Sequence, residues 1–109
     1  MLTIITNLDK LIVKKKPTKA EKKHMDRVAN MGCIVCVNLN YGETPAELHH
    51  ISNGAMGKRA SNWEVIPLCP EHHRNGGYGV AVHQGRAQWE SNFGTEQELL
   101  DQTMRWLNL

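Results

Sequence analysis

The three cysteines of this chain stand at Cys33, Cys36 and Cys69, and four of its six histidines form two adjacent pairs, His49-His50 and His72-His73. Thiolate and imidazole are the preferred donors of zinc. Cys33-x-x-Cys36 and Cys69-x-x-His72 are two knuckles whose spacing lets both donors reach one ion from a tight turn, and two such knuckles close a tetrahedral site. Every cysteine falls into a knuckle. A redox Cys-x-x-Cys would leave Cys69 and His72 without a purpose. An odd number of cysteines also argues against a disulfide framework, and cysteines in a reducing compartment serve more often as ligands, catalytic groups or core.

The doublets extend the same chemistry. With His72 closing the zinc site, His73 faces elsewhere, because adjacent side chains at a strand end or helix start point in different directions. His49 and His50 can divide two tasks, one ligating a second metal and the other exchanging a proton, and imidazole suits both near neutral pH. His83 is available as a further ligand.

These residues need elements to carry them. Thr18, with Glu21 three residues on, starts a helix that Gly32 stops, and Met25, Val28 and Ala29 give it a modest apolar face. "CIVCVN" reads as a metal knuckle rather than a plain strand. "AELHHI" and "WEVIPLC" read as short strands, joined by the long glycine-containing loop "SNGAMGKRASN". "PEHHRN" begins a helix or turn that "GGYGVAVHQG" interrupts. Two helices close the chain. The last opens on a capping box of Thr95 and Glu98, with Leu99, Leu100, Met104 and Leu107 as its core face. The pattern is α+β: a small zinc-stapled core with flanking helices.

Length and charge set bounds. At 109 residues the chain is one domain with a limited core, and a structural metal compensates for that. Residues 1–16 show no clear period and read as a short strand or an arm, leaving 17–109 as the folded domain. The net charge is only +2, yet residues 10–23 carry seven lysines against one acid, a run that suits nucleic acid or another anionic surface, or simply a solvated tail. No stretch is long and apolar enough to span a membrane, and the N-terminus lacks the features of a secretory leader. The chain therefore reads as cytoplasmic.

"CIVC…ELHHI…SNWEVIPLCPEHHR" resembles the HNH, or ββα-metal, endonucleases. Within them it is most similar to the bacteriophage recombination-enhancement (Ref-type) nucleases, which cut DNA in a RecA-dependent way. The resemblance spans residues 24–94 and leaves the basic arm outside. It implies a ββα-metal core in a phage- or prophage-encoded protein of the bacterial cell, with DNA as substrate and the RecA filament as partner. It implies that His49 is a ligand of the catalytic metal, His50 the general base and His73 the ligand at the helix start. Cys33, Cys36, Cys69 and His72 match the structural zinc site. Two departures stand out. Many HNH proteins place a second helical ligand where this chain has Gly77, and His83 is the nearest replacement. Asn62 lies slightly upstream of the usual asparagine, whose spacing is held by Glu64.

Phosphodiester hydrolysis fits these residue types. His50 would take a proton from water, Asn62 would hold His50 in one tautomer and orientation, and a divalent ion on His49, His73 and His83 would stabilise charge on the phosphate and the departing oxygen. Mg2+, Mn2+ and Zn2+ all remain open for that ion. Lys58 and Arg59 are placed for backbone phosphates, as are Lys14, Lys15 and Lys16 of the arm. Two other functions stay compatible with the sequence: a zinc-stapled DNA-binding module without catalysis, and an adaptor of a recombination machine built on a decayed nuclease fold.

Overall fold

A computed structural model describes residues 16–52 and 61–108. Lys14, Lys15, Lys58, Arg59 and all but the last residue of the basic arm lie outside the described residues.

Helix α1 (Lys19–Ala29) begins with the expected capping box: Glu21 N–H donates to Thr18 Oγ1 at 3.1 Å, and Thr18 N–H to Glu21 Oε1 at 2.8 Å. This satisfies donors that a helix start otherwise leaves open. Its buried face is His24 and Val28, with Met25 and Ala29 only half-buried. Gly32 follows with φ +82°, where a Cβ would stand 2.8 Å from the Glu43 side chain and 3.1 Å from the Thr44 carbonyl. The knuckle is not a strand but the opening of a short helix, α2 (Ile34–Asn38), and Cys33 Sγ caps it by accepting the Cys36 N–H at 3.4 Å.

Strands β1 (Glu47–His50) and β2 (Val65–Leu68) pair antiparallel, with Glu47 opposite Leu68 and His50 opposite Val65. Both are shorter than the apolar patterns that announced them. Pro67 is tolerated because each strand of a two-stranded sheet has an edge that needs no N–H. Alternation puts Glu47 and His49 on one face of β1 and Leu48 and His50 on the other. A single π-helical turn, Glu71–Asn75, follows β2 and carries the second histidine doublet. It stops at Gly76, where a Cβ would stand 2.5 Å from the Glu71 carbonyl and from the Val80 side chain. A 3-10 turn (Val82–Gln84) then leads into α3 (Arg86–Phe93) and α4 (Glu96–Leu107), the latter on its Thr95–Glu98 capping box.

The core joins the cysteines to Ile34, Val35, Ile51, Ile66, Leu68, Val82, Trp89, Leu99 and Leu100. Two expectations for α4 shift. Met104 is half-buried against this core and Leu107 is half-buried outside it; Thr103 and Trp106 supply the rest of the face. Thr103 can be fully buried because its hydroxyl donates to the Leu99 carbonyl at 2.8 Å.

Candidate active site and metal centre

Cys33, Cys36, Cys69 and His72 converge from the start of α2, the end of β2 and the π-helical turn, and all four are buried. His72 Nδ1 lies 3.8 Å from Cys33 Sγ, 3.6 Å from Cys36 Sγ and 3.2 Å from Cys69 Sγ, and the Cys36 and Cys69 sulfurs are 3.7 Å apart. Zinc held at 2.0–2.3 Å by nitrogen and sulfur would set such separations at about 3.5–3.8 Å. The donor set therefore fits a structural zinc. Burial pushes the Cys33 thiol up to about 12, a level at which it stays protonated unless a cation takes its place. Burial also lowers His72, favouring the neutral imidazole that a metal requires.

A second cluster lies on the other side of the π-helical turn. His49, His73 and His83 each offer a ligand atom within 4.8 Å of the others'. Their ring centres are 5.2, 5.0 and 4.7 Å apart, close to the roughly 5 Å expected for imidazoles around one ion. His73 Nε2 and His83 Nε2 approach to 3.0 Å. The turn explains the departure at Gly77: with the helix ended at Gly76, the chain loops out (Gly77 φ +92°) and returns His83 on the 3-10 turn.

The shells behind these histidines are well defined. His73 Nδ1 meets Glu47 Oε1 at 2.8 Å, and Glu47 is clamped by the Arg74 guanidinium, whose Nε donates to Oε1 at 2.9 Å. Arg74 and His73 together hold the Glu47 carboxyl down at about 2. His49 Nε2 meets Glu96 Oε2 at 2.6 Å. Burial would raise Glu96, but the His49 and Ser52 hydrogen bonds and the Arg86 charge outweigh it and keep the carboxyl below its ordinary range.

His50, on the opposite face of β1 from His49, donates from Nε2 to Asn62 Oδ1 at 2.8 Å. Of the two residues competing for the asparagine position, Asn62 reaches His50. Glu64 instead closes the preceding turn, accepting from Ser61 N–H at 3.2 Å and Ser61 Oγ at 3.3 Å. The Asn62 loop rests on α1, where Trp63 packs on His24 with ring centres 5.0 Å apart. An open cleft of about 390 Å³ is lined by His49, His50, Ser52, His83, Arg86 and Glu96. Lys16 is exposed.

Sequence reasoning missed Glu47, Arg74, Arg86 and Glu96. Glu96 follows an N-cap threonine, where an acid is ordinary because it complements the helix dipole, and that commonplace reading hid its burial.

Fold and clusters together define an α+β domain with a buried Cys3His donor set suited to a structural metal, and among the described residues no helix is long and apolar enough to cross a membrane. The family model described as "Recombination enhancement, RecA-dependent nuclease" matches residues 17–108. The chain belongs to this family of RecA-dependent nucleases. No curated protein matches it.

Proposed function

We propose that this protein is a metal-dependent DNA endonuclease of the HNH, ββα-metal type. In this reading, it acts in phage or prophage recombination at DNA bound by RecA. The observation that supports this most directly is the pair of opposite faces at the end of β1. His49 joins His73 and His83 in a ligand cluster, while its neighbour His50 is held by Asn62. In this reading, the two short strands and the π-helical turn bearing His73 take the place of the ββα frame.

His50 takes the proton of the attacking water, and Asn62 holds its imidazole in one tautomer and orientation. His49, His73 and His83 would hold a divalent ion, which when bound supplies positive charge to the scissile phosphate and the leaving oxygen. Glu47, fixed by Arg74, keeps His73 oriented. A metal at the Cys3His site would hold α2, β2 and the π-helical turn together. Residues 17–109 act as the nuclease domain. Lys58, Arg59 and the arm lysines Lys14, Lys15 and Lys16 contact phosphates, which favours affinity over base selectivity.

The test is cleavage of supercoiled plasmid, and of duplex paired with a RecA-coated single strand, under Mg2+, Mn2+ and Zn2+. His50→Ala should keep zinc content and DNA affinity and lose strand cleavage by about two to four orders of magnitude. Cleavage by His50→Ala at the parental rate would refute the HNH reading. Binding without cleavage by the unaltered protein under every ion would leave a zinc-stapled DNA-binding module.

A further inference from the structure

Glu96 is 4% exposed, and both of its carboxylate oxygens are engaged by the segment that carries the first histidine doublet. Oε2 lies 2.6 Å from His49 Nε2, and Oε1 accepts the Ser52 N–H at 2.9 Å. The backbone at this residue is anchored as well, its own N–H donating to Glu90 Oε2 at 2.8 Å. Arg86 adds a cation, its Nη1 3.7 Å from Oε1.

We propose that Glu96 is a positioning residue of the histidine-held ion: it fixes His49 as the Nε2–H tautomer, so that His49 meets the ion through Nδ1. This rests on the reading of His49, His73 and His83 as the catalytic metal cluster. The 2.6 Å contact is the length of a charge-assisted hydrogen bond. Nitrogen and oxygen ligands of one tetrahedral ion would stand about 3.3 Å apart. Glu96 accordingly backs a ligand rather than serving as one, and it stands outside the group of mutually close donor atoms. His73 shows the mirror arrangement. Its Nδ1 is 2.8 Å from Glu47 Oε1 and its Nε2 faces His83. Two ligand imidazoles are thus each braced by a carboxylate, on opposite nitrogens, in the carboxylate–histidine–metal pattern that fixes ring orientation and raises ligand basicity. The brace comes from the first residue of α4, which ties the last helix of the domain to the centre.

The experiment titrates full-length protein, carrying zinc in the cysteine site alone, with Co2+ and follows the visible absorption of the bound ion. Glu96→Gln should weaken Co2+ binding about 10–100-fold, the scale for losing such a partner, while cysteine-bound zinc and the melting temperature stay near parental. Glutamine has one acceptor oxygen where two N–H donors converge, so it cannot serve both. His49→Ala should lose Co2+ more completely. In the unaltered protein, long-range 1H–15N correlation spectra should show His49 protonated at Nε2 and ligated at Nδ1. Parental Co2+ affinity in Glu96→Gln, with His49→Ala impaired, would overturn the role of Glu96 and leave the metal cluster standing. Unchanged Co2+ binding in His49→Ala would overturn the cluster and the proposal with it. A His49 protonated at Nδ1 in the unaltered protein would overturn the proposal without any variant.

Discussion

Replacing Cys69 by serine should remove the metal staple, and the structure sets the size of the effect. The site ties residues separated by 33 to 39 positions along the chain, Cys36 to Cys69 and Cys33 to His72. A cross-link closing a loop of that length restricts the unfolded chain by about 4 kcal/mol in the chain-entropy description used for disulfides, and a metal clip acts on the same ensemble. A domain of this length has roughly 5–15 kcal/mol of stability in all. Losing 4 kcal/mol therefore removes a large share of it and lowers Tm by about 15 °C or more. The damage is not limited to the tether, since three of the twelve residues in the central core cluster are the ligand cysteines. Zinc per chain by elemental analysis, far-UV circular dichroism and calorimetric melting measure it, on Cys69→Ser and on chelator-stripped parent in parallel. A zinc-free protein with parental circular dichroism and a Tm within about 3 °C of the parent would refute the reasoning, because the cross-link would then be doing nothing for the fold.

The capping box of α1 makes a smaller, pH-dependent contribution. Thr18→Ala should cost about 1 kcal/mol in denaturant melts. The Thr18 backbone N–H holds the Glu21 carboxyl below its ordinary value of 4.5, so the support from Glu21 is present above that pH and is lost as pH falls through the lowered folded value; the Tm gap between parent and Glu21→Ala should narrow as the pH is taken below 4.5. Removing residues 1–16 deletes Lys10, Lys14, Lys15 and Lys16, and each lost phosphate contact should reduce the slope of log affinity against log salt by just under one on duplex DNA; equal slopes by fluorescence anisotropy would mark the arm as a solvated tail.

What could be read from the sequence was what local spacing encodes. Each Cys-x-x-Cys or Cys-x-x-His knuckle is a property of a few consecutive residues, and the capping boxes at Thr18 and Thr95 are likewise local. Strand alternation separates His49 from His50 without any knowledge of the tertiary fold. The contacts that escaped detection join residues distant in sequence. Glu96 meets His49 across 47 positions, and Glu47 meets His73 across 26. His24 was passed over because a lone polar residue on a lysine-rich helix reads as surface, yet it is buried beneath Trp63. The choice between Asn62 and Glu64 also turned on geometry: two residues apart in one loop, they differ in whether the side chain reaches β1 or folds back on Ser61.

The π-helical turn couples the two clusters mechanically. His72 and His73 are joined by one peptide bond, yet the first belongs to the cysteine cluster and the second to the histidine cluster. The His73 N–H donates to the Cys69 carbonyl at 2.9 Å, so the turn is seated directly on a residue of the buried knuckle. The position of His73 is inherited from that seat, so any shift of the cysteine knuckle is passed directly to the histidine cluster. A metal bound at the knuckles would therefore act on the histidine cluster through the backbone, from a place that the cleft does not reach.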